Sequence, residues 1–388
     1  MSEKKIQVYM NRDSKDILMG YLYIDNVRGK ELQSFEYADD WISSEVNKIM
    51  IDPSIELYSG RQWPSDERSY FPIFTDSAPD RWGKILLKRK EEYNAKKENR
   101  NAKTLMDSDY LLGVSDFARM GAIRFKNDEN EEFLSKENDI PPIKTLRELE
   151  AASINFENEE SIDKYKMLLD PGSSLGGARP KANIIDTDGN LWIAKFPSKH
   201  DEYDVGQAEY KVYQLAKKCG LKVVDTSVMK FSKYGSTFLI KRFDREKNKR
   251  IHFESAMALL GKYDGEKETS YLDIVSFIKE QGADVKNDLI ELFKRVAFNI
   301  LIKNTDDHLR NHGFLLKGKS WQLSPLYDVN INKEGKYLSL NIDEYSSMLD
   351  TDILVDTSNY YGLSKSEGKR IVNEMKNIVG ELNNIVRV

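Results

Sequence analysis

Four short stretches of the 388-residue chain combine residue types that chemistry uses. The first is Gly172-Ser173-Ser174-Leu175-Gly176-Gly177-Ala178-Arg179-Pro180-Lys181, a run of small residues directly before a strand-like segment. Small residues let backbone N–H groups approach an anion, and a succession of them can cradle phosphate oxygens. The pattern is not a Walker A loop, which needs Gly-Lys-Ser/Thr opening a helix. The second is Lys195, inside Leu-Trp-Ile-Ala-Lys-Phe. A charge on an apolar strand calls for an anion or a carboxylate, and Glu209 on the following helical segment could hold the ammonium in place. The third is Asn304-Thr305-Asp306-Asp307-His308-Leu309-Arg310-Asn311, two carboxylates, an imidazole and amides where a buried helix ends. An aspartate that accepts a hydroxyl proton, followed five residues on by an asparagine for a metal, fits Asp306 and Asn311. The fourth is Leu323-Ser324-Pro325-Leu326-Tyr327-Asp328, read as a short strand ending in a carboxylate suited to Mg²⁺.

Plainer readings stand beside each of these. A Gly/Ser run is often a simple turn, a strand lysine can snorkel to a sheet edge, and Asp307 and His308 can cap a helix end and bond neighbouring backbone. Zinc competes for the third stretch through Asp306, His308 and His312, the two histidines being four residues apart. Against zinc, Asn311-His312-Gly313 reads as a loop and the His-Glu-x-x-His pattern is absent. Taken together, the order of glycine loop, strand lysine, helix glutamate, Asp with Asn, then a second Asp points to phosphoryl transfer from ATP with Mg²⁺. Positioning and electrostatics carry that reaction.

These residues need a sheet and a helical bundle to position them. Ile6 to Met10, Ile17 to Tyr23 and Ile55 to Tyr58 read as strands of an antiparallel sheet. Trp82 to Tyr93 has helical spacing, with Asn94 to Asn101 read as a loop beyond it. Lys84 to Lys103 holds eight Lys or Arg and three Glu. That stretch could face an acidic partner or nucleic acid, or be a solvated helix face. A polar region around Pro141-Pro142 marks a join, followed by a helix from Leu146 to Ile154. Lys181 to Asp186 and Leu191 to Phe196 form a predicted hairpin across Asp188-Gly189. Glu202 to Gly220 reads as a helix with Gly220 as its C-cap, and Val223 to Met229 and Thr237 to Phe243 as further strands. Beyond Ile251 the chain turns helical: Leu289, Leu292, Phe293, Val296 and Ile300 recur at the spacing of a buried face, and Ile371 to Leu382 supplies a last amphipathic helix.

Composition bounds the rest. With 59 Lys+Arg against 64 Asp+Glu the formal charge is −5, which excludes nucleic-acid binding by bulk charge alone. Hydrophobic residues make up 40% of the chain, enough for more than one core. The single cysteine, Cys219, forbids an internal disulfide. No apolar run reaches the ~18 residues that span a bilayer, and no apolar segment follows the first residues. The expectation is a cytoplasmic protein with no membrane association.

The motifs resemble those of the HipA-type serine/threonine kinases, toxins of bacterial type II toxin–antitoxin pairs. Residues 172–181 resemble that family's glycine-rich loop, 304–311 its catalytic loop, and Ser324 to Val329 its metal-binding segment. Phe74-Thr75-Asp76-Ser77-Ala78-Pro79-Asp80-Arg81-Trp82-Gly83 and Arg119-Met120-Gly121-Ala122-Ile123-Arg124-Phe125 also look like family segments. The resemblance implies an α+β, two-lobed protein-kinase-like fold with a β-rich N-lobe, an α-helical C-lobe and an N-terminal β/α accessory subdomain. The implied boundaries are 1–140 for the accessory subdomain, 141–245 for the N-lobe and 246–388 for the C-lobe. Asp306 would be the catalytic base, and Asn311 and Asp328 would bind Mg²⁺. ATP would be held by Ser174, Gly176, Gly177, Ala178, Lys181, Lys195 and Glu209, by the hinge from Lys241 to Phe243, and by His308. Ser174, or Ser173 beside it, would be the autophosphorylation site that switches the enzyme off. Two departures stand out: Lys241 replaces a residue that is often acidic, and Asp307 one that is often glycine. The family implies a helix-turn-helix, HipB-like antitoxin, operator DNA reached through that complex, and a protein substrate of translation such as an aminoacyl-tRNA synthetase. An inactive kinase-like scaffold or co-repressor, and a kinase for a small molecule, are the alternative functions.

Overall fold

The computed structural model describes residues 3–64, 70–135, 140–169, 177, 179–246, 249–263, 265–266, 268–332 and 334–382. The chain forms two compact units: unit 1 is Met1–Gln207 with Thr226–Phe253, and unit 2 is Ala208–Asp225 with Glu254–Val388.

Unit 1 begins with strands β1 (Lys4–Arg12), β2 (Lys15–Val27) and β3 (Lys30–Tyr37). Helices α1 (Asp39–Ser43), α2 (Pro72–Ser77), α3 (Arg81–Lys97) and α4 (Asp107–Gly113) follow, then β4 (Ile123–Lys126). The four strands make an antiparallel sheet in the order β3-β2-β1-β4. Alternation drives it: Ile6, Val8 and Met10 are fully buried on one face of β1. Phe35 of β3 packs against Phe71 and Phe74, and Phe74 in turn packs on Phe125 of β4. Residues 55–58 form no strand; Ile55 is buried, but Gln62, not this segment, bridges to Phe35 of β3. Helix α3 continues to Lys97, so the polar residues 94–97 expected in a loop are helical. The basic stretch is partly neutralised, with Arg89 on Glu92 within α3 and Arg100, beyond its end, on both Glu91 and Glu98.

Helix α5 (Leu146–Glu157) leads to a second antiparallel sheet, β5 (Lys181–Ile185), β6 (Leu191–Lys195), β7 (Thr226–Ser232) and β8 (Gly235–Lys241), in the order β5-β6-β8-β7. The predicted β5–β6 hairpin is present. Its turn is tied by Asp186, whose Oδ1 accepts from the backbone of Asp188 and Asn190. Trp82, Leu86, Leu149, Ala182, Ile184, Ala194 and Leu239 form the apolar layer beneath this sheet. Two short strands, β9 (Arg245–Glu246) and β10 (Lys249–Arg250), complete the unit.

The two sheets of unit 1 are joined by buried charge. Arg242, just past β8, donates to Ala118 O (2.6 Å), to Asn183 Oδ1 (2.7 Å) and to both oxygens of Asp244 (2.9 and 2.7 Å). Asp244 also accepts from Gly121 N at 2.8 Å and from Arg245 at 2.6 Å. Asp116 accepts from Arg124 and Arg250. Burial alone would raise the Asp244 carboxyl, but the Arg242 and Arg245 charges and the Gly121 N–H hold it well below the ordinary carboxylate range. The segment Arg119–Phe125 is therefore where the first sheet is fastened to the end of β8.

Helix α6 (Val205–Lys218) starts in unit 1 and passes into unit 2. It ends as the sequence predicts: Gly220 has φ 71°, and Leu221 N reaches back to Ala216 O, which only a left-handed residue permits cheaply. Unit 2 continues with β11 (Phe253–Ser255), which opens at the boundary, then α7 (Ala256–Leu259), α8 (Tyr271–Gln281) and α9 (Val285–Ile302). It closes with β12 (Gly313–Lys317), β13 (Ser320–Leu323), α10 (Thr351–Asp356) and α11 (Lys365–Leu382). Strands pair in the order β11-β12-β13. One apolar cluster unites α6, α8, α9, α10 and α11, with Leu292, Phe293, Val296 and Ala297 of α9 fully buried at its centre. Among the described residues, no helix is long and apolar enough to cross a membrane.

Candidate active site

In unit 1 the candidate residues gather at the β5–β6 hairpin. Lys181 opens β5 and Lys195 closes β6, and the two are direct partners in the antiparallel register, so their side chains share one face of the sheet. Lys181 is 7% exposed and Lys195 half-buried. The pair concentrates positive charge on that face of the sheet. Gly177 sits close by with φ 76°, and a Cβ there would come within 2.8 Å of Lys181 Nζ. Of the predicted loop residues, Ser173, Ser174, Gly176 and Ala178 lie outside the described residues. Lys241 ends β8 opposite Trp192, and Phe243 follows with its ring 5.7 Å from that of Phe253. Between them Arg242 is the buried anchor described above.

Gly177 is held on both sides by the start of α3. Asp80 caps that helix, its Oδ1 accepting from Arg81 N at 2.7 Å, while Oδ2 accepts from Gly177 N at 2.8 Å. Trp82 N donates to Gly177 O at 3.0 Å, and Trp82 Nε1 to Lys181 O at 2.8 Å. Sequence reasoning missed this bracket, although an Asp before a helical run is a recognisable cap signal.

In unit 2 the candidate residues follow the C-terminus of α9. Lys303 turns the chain in the left-handed region (φ 59°), and Asn304 is bound to Asn299 through backbone and side chain. Asp306 is exposed, while its backbone carbonyl accepts from Asn311 Nδ2 at 2.9 Å and from His308 N. That bond identifies Nδ2 as the donor and Oδ1 as the acceptor of the Asn311 amide, which is 7% exposed. His308 is half-buried beside it.

The β12–β13 hairpin returns the chain to the same place. Asn311 precedes β12, Asp328 follows β13, and Tyr327 Oη donates to Arg310 O at 2.6 Å. Asp328 is half-buried and left-handed, with φ 53°, an unusual backbone for a residue other than glycine. The strand expected to run to Asp328 ends at Leu323, because Pro325 has no N–H for a ladder. Glu209 lies on the α6 segment of unit 2 and is 4% exposed.

Asp307 does not cap the helix as expected. Its Oδ2 accepts from Tyr271 Oη (2.7 Å) and Asn299 Nδ2 (2.6 Å) and contacts His312 Nε2 (2.8 Å), all of them buried. Burial pushes this carboxyl up, but the His312 imidazole and the bonds from His312 and Tyr271 outweigh that and lower it. His312 is thereby committed to Asp307. Among the described residues, no group of three or more His, Cys, Asp or Glu could hold a metal ion, and Asp306, His308 and His312 form no such group.

Residues 173–382, more than half of the chain, match the HipA-like C-terminal domain. The fold is α+β and kinase-like, with a β-rich and an α-rich lobe. A chain from the solved Shewanella oneidensis MR-1 toxin–antitoxin complex of HipA, HipB and operator DNA superposes with TM-score 0.68 at 17% identity. The match covers 99% of this chain and 92% of that one. A candidate kinase of Haemophilus influenzae is 30% identical over 195 residues, 45% of this chain and 56% of that protein. The candidate kinase Y4mE of Sinorhizobium fredii is 28% identical over 182 residues, 40% of this chain and 41% of its own. The chain thus spans about half the length of the curated relatives it matches. The chain belongs to the HipA-like family.

Proposed function

We propose that the chain is a Mg·ATP-dependent protein serine/threonine kinase. The cross-strand pair Lys181 and Lys195 carries this reading, since two lysines on one strand face match the charge of a polyphosphate. Lys195, Lys181 and the Gly177 backbone hold phosphates, with Ser174, Gly176 and Ala178 completing the loop. Lys241 to Phe243 borders the base, while Glu209 and His308 belong to the nucleotide set. Asp306 accepts the proton of the acceptor hydroxyl as the phosphoryl group is transferred. Asn311 Oδ1 and the Asp328 carboxylate are hard oxygen donors of the kind Mg²⁺ takes alongside phosphate. Bound Mg²⁺ would supply charge neutralisation between phosphate oxygens.

The acceptor is a protein of translation, an aminoacyl-tRNA synthetase fitting the family resemblance, and phosphorylation of Ser174 or Ser173 turns the enzyme off. The solved Shewanella complex supports a HipB-like helix-turn-helix partner and, through it, operator DNA. The same complex motivates the second reading, a co-repressor scaffold without catalysis. Radiolabel transfer from γ-labelled ATP to protein decides between them: Asp306→Ala should abolish transfer while retaining the fold, and Lys195→Ala should weaken nucleotide binding. Wild-type protein that transfers no label yet strengthens operator binding by its partner would favour the scaffold.

A further inference from the structure

We propose that Asp80 is a positioning residue for nucleotide binding, setting the backbone at Gly177 from the start of helix α3. The inference rests on the kinase reading above and adds to it a residue outside every stretch to which that reading assigns nucleotide or metal.

The geometry is a bracket. One carboxylate spans two N–H groups far apart in sequence: Oδ1 takes Arg81 N and Oδ2 takes Gly177 N, at 2.7 and 2.8 Å. The Gly177 carbonyl is bound in turn by Trp82 N, and the Lys181 carbonyl by the Trp82 indole. The N-cap Asp80 and Trp82, the second residue of α3, therefore fix the backbone at Gly177, and Trp82 fixes it again at Lys181, where β5 begins. Trp82 is 2% exposed within the apolar layer under the second sheet, so the bracket is anchored in the core. Helix capping alone needs a single acceptor, which Asn or Ser supplies about as well as Asp. The second oxygen of Asp80 is spent on Gly177 instead.

Position is what the loop needs. Gly177 has a left-handed backbone and lies against the Lys181 ammonium, so a small displacement moves both a backbone N–H and a cation that the kinase reading places on phosphate. Charge-assisted bonds from a carboxylate to backbone N–H are about twice as strong as neutral ones. Asp80→Asn keeps the size of the side chain and its capping oxygen but exchanges the other acceptor for a donor. Asp80→Ser keeps the cap and withdraws the reach.

The test measures two quantities on the full chain in both variants: exchange protection of the Gly177 amide without ligand, and Kd for Mg·ATP by calorimetry. Thermal unfolding reports the helix cap separately. The expected result is faster exchange at Gly177, an approximately tenfold rise in Kd, and an unfolding midpoint close to wild type. Asp80→Glu, which retains two acceptors, should recover part of the affinity. Unchanged Gly177 protection, or wild-type Kd in a variant whose Gly177 amide has been released, would overturn the proposal. Wild-type protein that binds no Mg·ATP would overturn the kinase reading itself, and this inference with it.

Discussion

The two units solve the problem of cohesion differently. Unit 1 fastens its two sheets with ions, the buried Arg242 and Asp244 with half-buried Arg245 on one side and the buried Asp116 with half-buried Arg124 and Arg250 on the other. Unit 2 closes around one continuous apolar cluster and holds its buried ions within it, Arg295 on Glu291, Asp288 with Lys222, and Asp307, onto which its catalytic-type loop folds. An apolar core tolerates loss of a contact in proportion to the volume removed. An ionic joint fails abruptly when one partner leaves, because the other remains buried and charged. The joint between the two sheets should therefore be the part of the β-rich unit most sensitive to charge-removing substitutions and to acid.

Asp244→Ala should break this comparison open most. It strips the carboxylate from Arg242 and Arg245 and should cost roughly 3–5 kcal/mol, read as a lower urea midpoint. A cost under about 1 kcal/mol would mean that the joint behaves as a surface pair. Asp307→Asn should cost less, about 1–3 kcal/mol, since one amide oxygen must replace a carboxylate that serves Tyr271, Asn299 and His312. Its signature is faster amide exchange in 304–312, with α9 unaffected.

Gentlest per unit of pH is the dependence set by His252, buried in unit 1. Burial, with a smaller contribution from the Arg12 charge, lowers its pKa from 6.5 to about 3. The unfolded chain therefore takes up a proton that the folded chain refuses, so this contribution is complete above the unfolded pKa and is lost as pH falls toward the folded one. Stability should decline by at most about 1.4 kcal/mol per pH unit below roughly pH 6.5. The lowered carboxyls of Asp116, Asp244 and Asp307 add their losses only under more acidic conditions. His252→Asn should flatten the slope between about pH 6.5 and 4.5; an unchanged slope there would assign it to another group.

The same contrast explains what the sequence made legible. Helix α9 was readable because Leu289, Leu292, Phe293, Val296 and Ile300 repeat with helical period, and the β5–β6 hairpin because Asp188-Gly189 separates two strand-like runs. The ionic joint was not, because its members are scattered from Asp116 to Arg250 and charges carry no period. Residues 55–58 have strand composition without a strand, the backbone of Glu56 being bound on both sides by the Gln62 side chain and that of Ile55 by Asp52 O. The order of the candidate residues Lys195, Asp306, Asn311 and Asp328 along the chain was visible in one dimension. The Asp80 bracket on Gly177 joins residues 97 positions apart, and the bonds that draw Asp307 inward come from α8, α9 and the start of β12. Contacts of that range leave no local pattern.

The most direct measurement is the intact mass of the purified chain before and after incubation with Mg·ATP, beside an Asp306→Ala control. The account predicts a gain of about 80 Da per phosphate added to serine, mapped to Ser174 or Ser173 and absent from the control. An unmodified starting mass that does not change with Mg·ATP, or an equal gain in Asp306→Ala, would contradict it.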